Sequence, residues 1–275
     1  MSKVKMTCFA DEISQDLDEQ LDVLQAEGLS YIEVRNVWGK NVLDLNEEEL
    51  QTIRQMLDQR GFAVSSIASP VGKYPIGDDF APQLEAMHRA VRAAKALNAA
   101  YIRVFSYFVK EDEDLDAVRD EVLSRMKQLL RLAEDNELTM ILENDNQLYG
   151  SSDDRCLDIL QHCASDSLRL AFDPGNFVIN HVKPADEAFP KLNAYTAYIH
   201  VKDAINEPRQ FVPAGKGEGQ IDQLLVLLRA QGFAGFLSVE PHLTKYLPYS
   251  SDPKRVVTAI HALKDALARA EMVWE

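Results

Sequence analysis

The chain has 275 residues, 46% of them hydrophobic, and a formal net charge of −15. This length and composition suit a globular chain with a substantial core, and no apolar run approaches the roughly 20 residues of a membrane span. A surface this acidic repels phosphate backbones, and no block of Lys or Arg offsets it, so nucleic acid is excluded as the expected partner.

The opening MSKVKMTCFADEIS turns acidic without the apolar stretch of a signal peptide, which points to a cytoplasmic location. Within it, KVKMTCFA (3–10) reads as a strand. Residues 16–28 then place Leu17, Leu21 and Leu24 at helical spacing and stop at Gly28. The strand YIEVR (31–35) precedes a helix over 45–61 that stops at Gly61. FAVSSIA (62–68) and YIRVFS (101–106) are strands, with the helix LEAMHRAVRAAKALN (84–98) between them. The acidic run Glu111–Asp116 suits the start of a helix over 112–136, because acids near a helix N-terminus oppose its dipole. LTMILEN (138–144), LRLAFD (168–173), YTAYIHV (195–201) and FLSVE (236–240) complete the strands. Helical patterns at CLDILQHC (156–163), IDQLLVLLRAQG (221–232) and 253–272 follow three of them, and 184–194 carries a weaker one. Cys8, Cys156 and Cys163 form no disulfide framework and read as structural thiols.

Strict alternation implies a parallel sheet, and a repeat of roughly 34 residues is the size of a βα unit. Eight such units imply closure into one (β/α)8 TIM barrel over residues 1–275, and no GxGxxG follows the first strand to suggest a dinucleotide fold.

In such a barrel the active site lies at the C-terminal ends of the strands. Four consecutive strands end in an ionisable residue: Glu143, Asp173, His200 and Glu240. Alternate strand residues share a side. The positions of opposite parity (Met140, Leu142, Leu170, Phe172, Ala197, Ile199, Leu237 and Val239) are all apolar, as expected beneath helices. The four polar residues therefore point into the barrel mouth. Three carboxylates there repel one another unless a cation lies between them, and one His cannot neutralise three acids. Carboxylates with one imidazole suit a single divalent ion, with Mn²⁺ or Mg²⁺ favoured and Co²⁺ or Zn²⁺ as alternatives.

The ordered motifs ILEN, FDPGN, YIHVKD, GKGEG and LSVEP, with IEVR and the ending GFAGFLSVEPH, resemble the xylose-isomerase-like TIM-barrel superfamily of sugar (phosphate) isomerases and epimerases. The resemblance implies that Glu143, Asp173, His200 and Glu240 bind one metal, and that Glu143 and Glu240 exchange a proton with the substrate from opposite faces. It implies a divalent-metal-dependent isomerase or epimerase acting on a sugar, sugar phosphate or related polyol through an enediolate, in a homodimer or homotetramer. The same barrel accommodates a lyase, such as a dehydratase of a keto-inositol or related keto acid. A non-catalytic sugar-binding barrel is the third reading. The chain departs from many relatives in carrying Asn176 and Asp145 where they have His, and Asn206 where epimerases have Arg, Arg209 being the nearest substitute. These departures bear on a ketohexose epimerase assignment and not on the metal site.

Other residues have a functional and a plain reading. Glu33 is a substrate-binding or supporting carboxylate, or an ion-pair partner of a nearby Arg such as Arg35. Lys202 shares the parity of His200 and suits a substrate oxyanion, or is a surface lysine; Asp203 suits the orientation of a metal ligand. GKGEG is not a P-loop, since no Ser or Thr follows Lys216, and reads as a mobile loop. Trp38, Lys73, Tyr107, Phe108 and Tyr149 occupy loops that roof the pocket or simply pack. His88, His162 and His261 read as helix-surface residues, while His181 and His242 lie nearer the mouth.

Overall fold

The computed structural model describes residues 3–110 and 113–275. Its eight barrel strands are β1 (Lys3–Cys8), β2 (Tyr31–Val34), β3 (Ala63–Ile67), β4 (Tyr101–Val104), β5 (Thr139–Glu143), β6 (Leu168–Phe172), β7 (Thr196–Val201) and β8 (Phe236–Val239). Neighbours in sequence pair in parallel from β2 round to β7, then β8, and β8 pairs with β1. Phe9 and Glu33 form a parallel bridge that joins β1 to β2 at the mouth, closing the (β/α)8 barrel. Lower down, Val273–Trp274 pairs with Lys3–Val4 on the β1 edge opposite β8. The segment after α8 thus satisfies the edge where β1 and β2 diverge.

The helices are α1 (Leu17–Ala26), α2 (Glu47–Arg60), α3 (Ala81–Leu97), α4 (Leu115–Glu134), α5 (Asp153–Cys163), α6 (Pro174–Ile179), α7 (Ile221–Ala230) and α8 (Asp252–Arg269). Local chemistry sets their ends. Asn46 and Glu49 form a reciprocal capping box on α2, and Gly61 ends it in the left-handed region at φ +72°. Ser152 caps α5 and starts it three residues before the apolar pattern does. Asp114 caps α4; Glu111 and Asp112 of the acidic run lie outside the described residues. The weakly patterned 184–194 forms a π-helical turn (Pro184–Ala188) running into Phe189–Leu192. Pro190 lacks the N–H for a normal α-helical bond, which favours the wider turn before it.

Side-chain parity divides the core as the alternation requires. Met140, Leu142, Leu170, Phe172, Ile199, Leu237 and Val239 join the main cluster beneath the helices, with Ala197 half-buried. Ile141, Ala171 and Tyr198 form a separate inner cluster with Tyr101 and Phe236, the packed barrel floor. Cys8 and Cys156 are buried, Cys163 is half-buried, and all three are free thiols. No helix among the described residues is long and apolar enough to cross a membrane.

One carboxylate organises the wall beyond β7. Asp203 accepts four backbone N–H groups, from Ala204 and Gly219 on Oδ1 and from Gly215 and Gly217 on Oδ2, at 2.8–3.0 Å. A Cβ at Gly217 or Gly219 would lie 2.4 or 2.6 Å from Oδ1, so GKGEG needs glycines to wrap this carboxylate. Asp203 therefore holds a loop and touches no candidate metal ligand, and GKGEG is a fastened loop. Asp203→Ala strands these buried donors and is expected to cost about 3 kcal/mol of stability. Urea unfolding checks it; a loss below about 0.5 kcal/mol would contradict this role.

Candidate active site

Glu143, Asp173, His200 and Glu240 meet at the barrel mouth. Each is buried, and each offers one ligand atom within 4.8 Å of the others. Strand ends β5 to β8 deliver them side by side.

Asp173 serves two purposes, one per oxygen. Its Oδ1 accepts the Asn176 N–H at 2.9 Å and caps α6. Its Oδ2 turns to the cluster, 2.7 Å from Lys202 Nζ but without hydrogen-bond geometry. Asn144 fixes the Asp173 backbone from both sides, its Oδ1 accepting the Asp173 N–H and its Nδ2 donating to the Asp173 carbonyl, each at 2.9 Å. Gly175 lets α6 approach β7: a Cβ there would lie 2.9 Å from the Lys202 carbonyl oxygen.

His200 is held by its surroundings. Its Nδ1 lies 3.2 Å from Glu143 Oε2 and its Nε2 3.4 Å from Glu33 Oε1. Phe9 packs edge-on against the ring at 5.1 Å. Glu33 accepts the Tyr198 hydroxyl at 2.8 Å and is itself buried. A carboxylate behind an imidazole, opposite a candidate metal position, is the arrangement that orients metal-binding histidines. Glu33 thus faces His200 and does not pair with Arg35.

Cations supplied by the chain balance the acids. Lys202 Nζ donates to Glu240 Oε2 at 2.6 Å while touching Asp173. Arg103 donates to Glu143 Oε2 at 3.1 Å. Arg35 binds Asp11 at 2.8 Å and reaches Glu240 at 3.4 Å, and His242 Nε2 lies 3.2 Å from Glu240 Oε1. Burial raises the pKa of Glu143, but His200 and Arg103 outweigh it and hold the carboxyl down to about 2. Burial also opposes charge on Glu240, yet Lys202 and His242 keep it well below the usual carboxylate range. Asp173 goes the other way. Burial lifts it to about 7 despite Lys202, with Glu240 and Glu143 adding to the rise.

These features test the fit of a metal. Both His200 ring nitrogens are buried without a hydrogen-bond partner, and Asp173 Oδ2 shares its one cation, Lys202, with Glu240. Buried polar atoms of this kind call for a partner. Three carboxylates and one imidazole converging within 4.8 Å match the donor set of one divalent ion. The residues fit.

An inner chamber of about 310 Å³ opens above the cluster, at the lower end of the size range of small-molecule pockets. Glu143, Glu240, Asn176 and Lys202 line it, with Phe105 and Phe211. Asn176 donates to the Asn144 carbonyl at 2.9 Å and to Glu143 Oε1 at 3.4 Å. Arg209 is exposed at the tip of the hairpin formed by Asp203–Ile205 and Gln210–Val212, outside this chamber. Lys73 pairs with Asp145 on the wall, whereas Tyr107 and Tyr149 are buried in packing. His181 is exposed and lines a different cleft, while His242 joins the site. Asp11, Glu12, Arg103 and Asn144 belong to the site but carry little signal in sequence. Arg103 had one readable sign, as a charge in the middle of the strand YIRV.

The chain belongs to the family described as xylose isomerase-like TIM barrel, whose profile matches residues 21–272. Its fold is shared with several solved structures. A crystal structure of IOLI protein with a binding zinc atom is 17% identical, over 97% of this chain and 99% of that one, with a TM-score of 0.78. The probable 3-DHS dehydratase AsbF of Bacillus anthracis is 16% identical over 95% and 98%, with a TM-score of 0.76. D-psicose 3-epimerase, crystallised in the presence of D-fructose, is 15% identical over 97% and 99%, with a TM-score of 0.76. At these identities the likeness establishes the fold. A search of curated proteins gave no significant match.

Lys202 shares Asp173 and Glu240 with any ion bound by the tetrad, so its ammonium competes for the same oxygens. Lys202→Met is expected to bind Mn²⁺ at least about tenfold more tightly, since a positive charge a few ångströms away opposes a second cation. Calorimetric titration measures this; unchanged or weaker binding would contradict it.

Proposed function

We propose that this chain is a divalent-metal-dependent isomerase or epimerase of a sugar, sugar phosphate or related polyol. The observation that carries the reading is the convergence of Glu143, Asp173, His200 and Glu240 beneath a chamber that Glu143 and Glu240 both line. An ion held by the four residues would polarise a substrate carbonyl and its neighbouring hydroxyl, acidifying the C–H between them. The remaining work falls to the chain. Glu143 and Glu240 enter from strands β5 and β8, separated by β6 and β7, and so approach the chamber from different directions. One carboxylate takes the proton from carbon; returning it to another carbon isomerises, and delivery from the opposing carboxylate epimerises.

Arg103 and Lys202 hold these glutamates ionised in the resting site, so epimerisation needs the delivering glutamate to be protonated first. Lys202 and Asn176 reach the chamber from β7 and α6 and are placed to hold substrate oxygens. Phe105 and Phe211 exclude water from the carbanion-like state.

A lyase is the second reading, favoured by one feature of the wall. The Lys202 ammonium, 2.6 Å from Glu240, offers a hydrogen-bond donor to a departing hydroxyl, and the Bacillus anthracis relative is a probable dehydratase. A sugar and keto-acid panel turned over in D₂O separates the two. Isomerisation or epimerisation gives a product with the substrate's elemental composition and deuterium on carbon, whereas dehydration gives loss of water. Glu240→Gln is expected to lower kcat by roughly 10²–10⁴-fold with the fold intact. Retained turnover of a confirmed substrate in that variant would overturn its proton-transfer role.

A further inference from the structure

A second chamber adjoins the inner one. Arg35, Phe211 and His242 border both, and the outer one has a volume of about 570 Å³. Phe211, which both chambers share, stands edge-on to His242 at 5.5 Å, and Lys202 Nζ of the inner chamber lies 5.3 Å from its ring centre. The outer chamber is the larger of the two.

The outer chamber has its own charge pattern. Asp11 and Glu12 are committed to Arg35 and His242, and Asp252 to Arg255. Two cations are left over, Arg209 on the hairpin and Lys245 on the segment after β8. Among the described residues neither has a carboxylate partner. Both are exposed, and they reach the chamber from separate elements. In a chain of net charge −15, two uncompensated cations at one cavity make a local positive site in an otherwise repulsive field.

We propose that the substrate extends beyond one sugar ring. Its reacting part lies in the inner chamber, it passes Phe211, and it ends in an anionic group, phosphoryl or carboxylate, held by Arg209 and Lys245. The inference rests on the isomerase reading for the inner chamber and adds the size and charge of what enters it.

Calorimetry on the protein as purified tests this with two matched pairs, sucrose against sucrose 6-phosphate and lactose against lactobionate, and with D-fructose as a single-ring reference. At least one anionic disaccharide is expected to bind tenfold or more tightly than both its neutral partner and D-fructose. Which pair shows the gain tells phosphoryl from carboxylate. In the double variant Arg209→Ala/Lys245→Ala that gain should disappear. Anionic probes that bind no better than their neutral partners, D-fructose that binds as tightly as either, or a gain that survives in the double variant would each overturn the proposal. So would the absence of measurable binding by both anionic probes. Failure of the isomerase reading would show separately, as a wild-type protein that holds no divalent ion.

Discussion

Four buried carboxylates at one end of a barrel are the constraint on which the rest of this structure depends. Glu33, Glu143, Asp173 and Glu240 are all but excluded from solvent, and such a cluster persists only where cations meet it. Arg103 answers Glu143, Lys202 answers Glu240 and Asp173 together, and His200 stands between Glu143 and Glu33. Asp173 is the one that burial lifts, to about 7, its Oδ1 spent on capping α6 and its Oδ2 sharing the Lys202 ammonium with Glu240. The site is poised for one more positive charge, and Asp173 is where that charge is most needed.

The same constraint explains the framework around the cluster. Asn144 pins the Asp173 backbone, Glu33 and Phe9 hold His200, and Asp203 ties GKGEG behind β7. None of these groups does chemistry in the proposed reaction. They remove the freedom that would let like charges drift apart, which is how a set of ligands is kept within bonding distance before an ion arrives. Phe9 does this while its backbone closes the barrel to Glu33, so barrel closure and imidazole position are linked.

Much of this was legible in the sequence because it follows from period and parity. The alternation of strands and helices gave the barrel, and the polar residues ending LTMILEN, LRLAFD, YTAYIHV and FLSVE pointed to one mouth. Asp173 can be a helix cap and a candidate ligand at once, since a carboxylate has two oxygens. What sequence could not show depends on distance in space. Arg103 reads as one charge in a strand, Asn144 as the last residue of the strand LTMILEN, and Glu12 as part of an acidic N-terminus. Asp203 directly follows the Asp173-contacting Lys202, yet turns away to bind backbone amides. The C-terminal VW pairing was hidden because two residues carry no period. The Pro-bearing stretch 184–194 was weakly patterned for a physical reason, its turn being π-helical.

On the proposed reading, Glu143, Asp173, His200 and Glu240 form one divalent-metal site completed by Asp173. The most direct test is metal content per chain after dialysis against Mn²⁺, for the wild type and for Asp173→Asn. Asparagine keeps an Oδ1 acceptor for the α6 cap and removes the charge on the other side, so folding and ligation are separated. The wild type is expected to hold one ion per chain, and the variant, unfolding at a similar urea concentration, to bind it on the order of 100-fold more weakly. A wild-type protein that retains no ion, or an Asp173→Asn protein that binds Mn²⁺ as tightly, would contradict this reading.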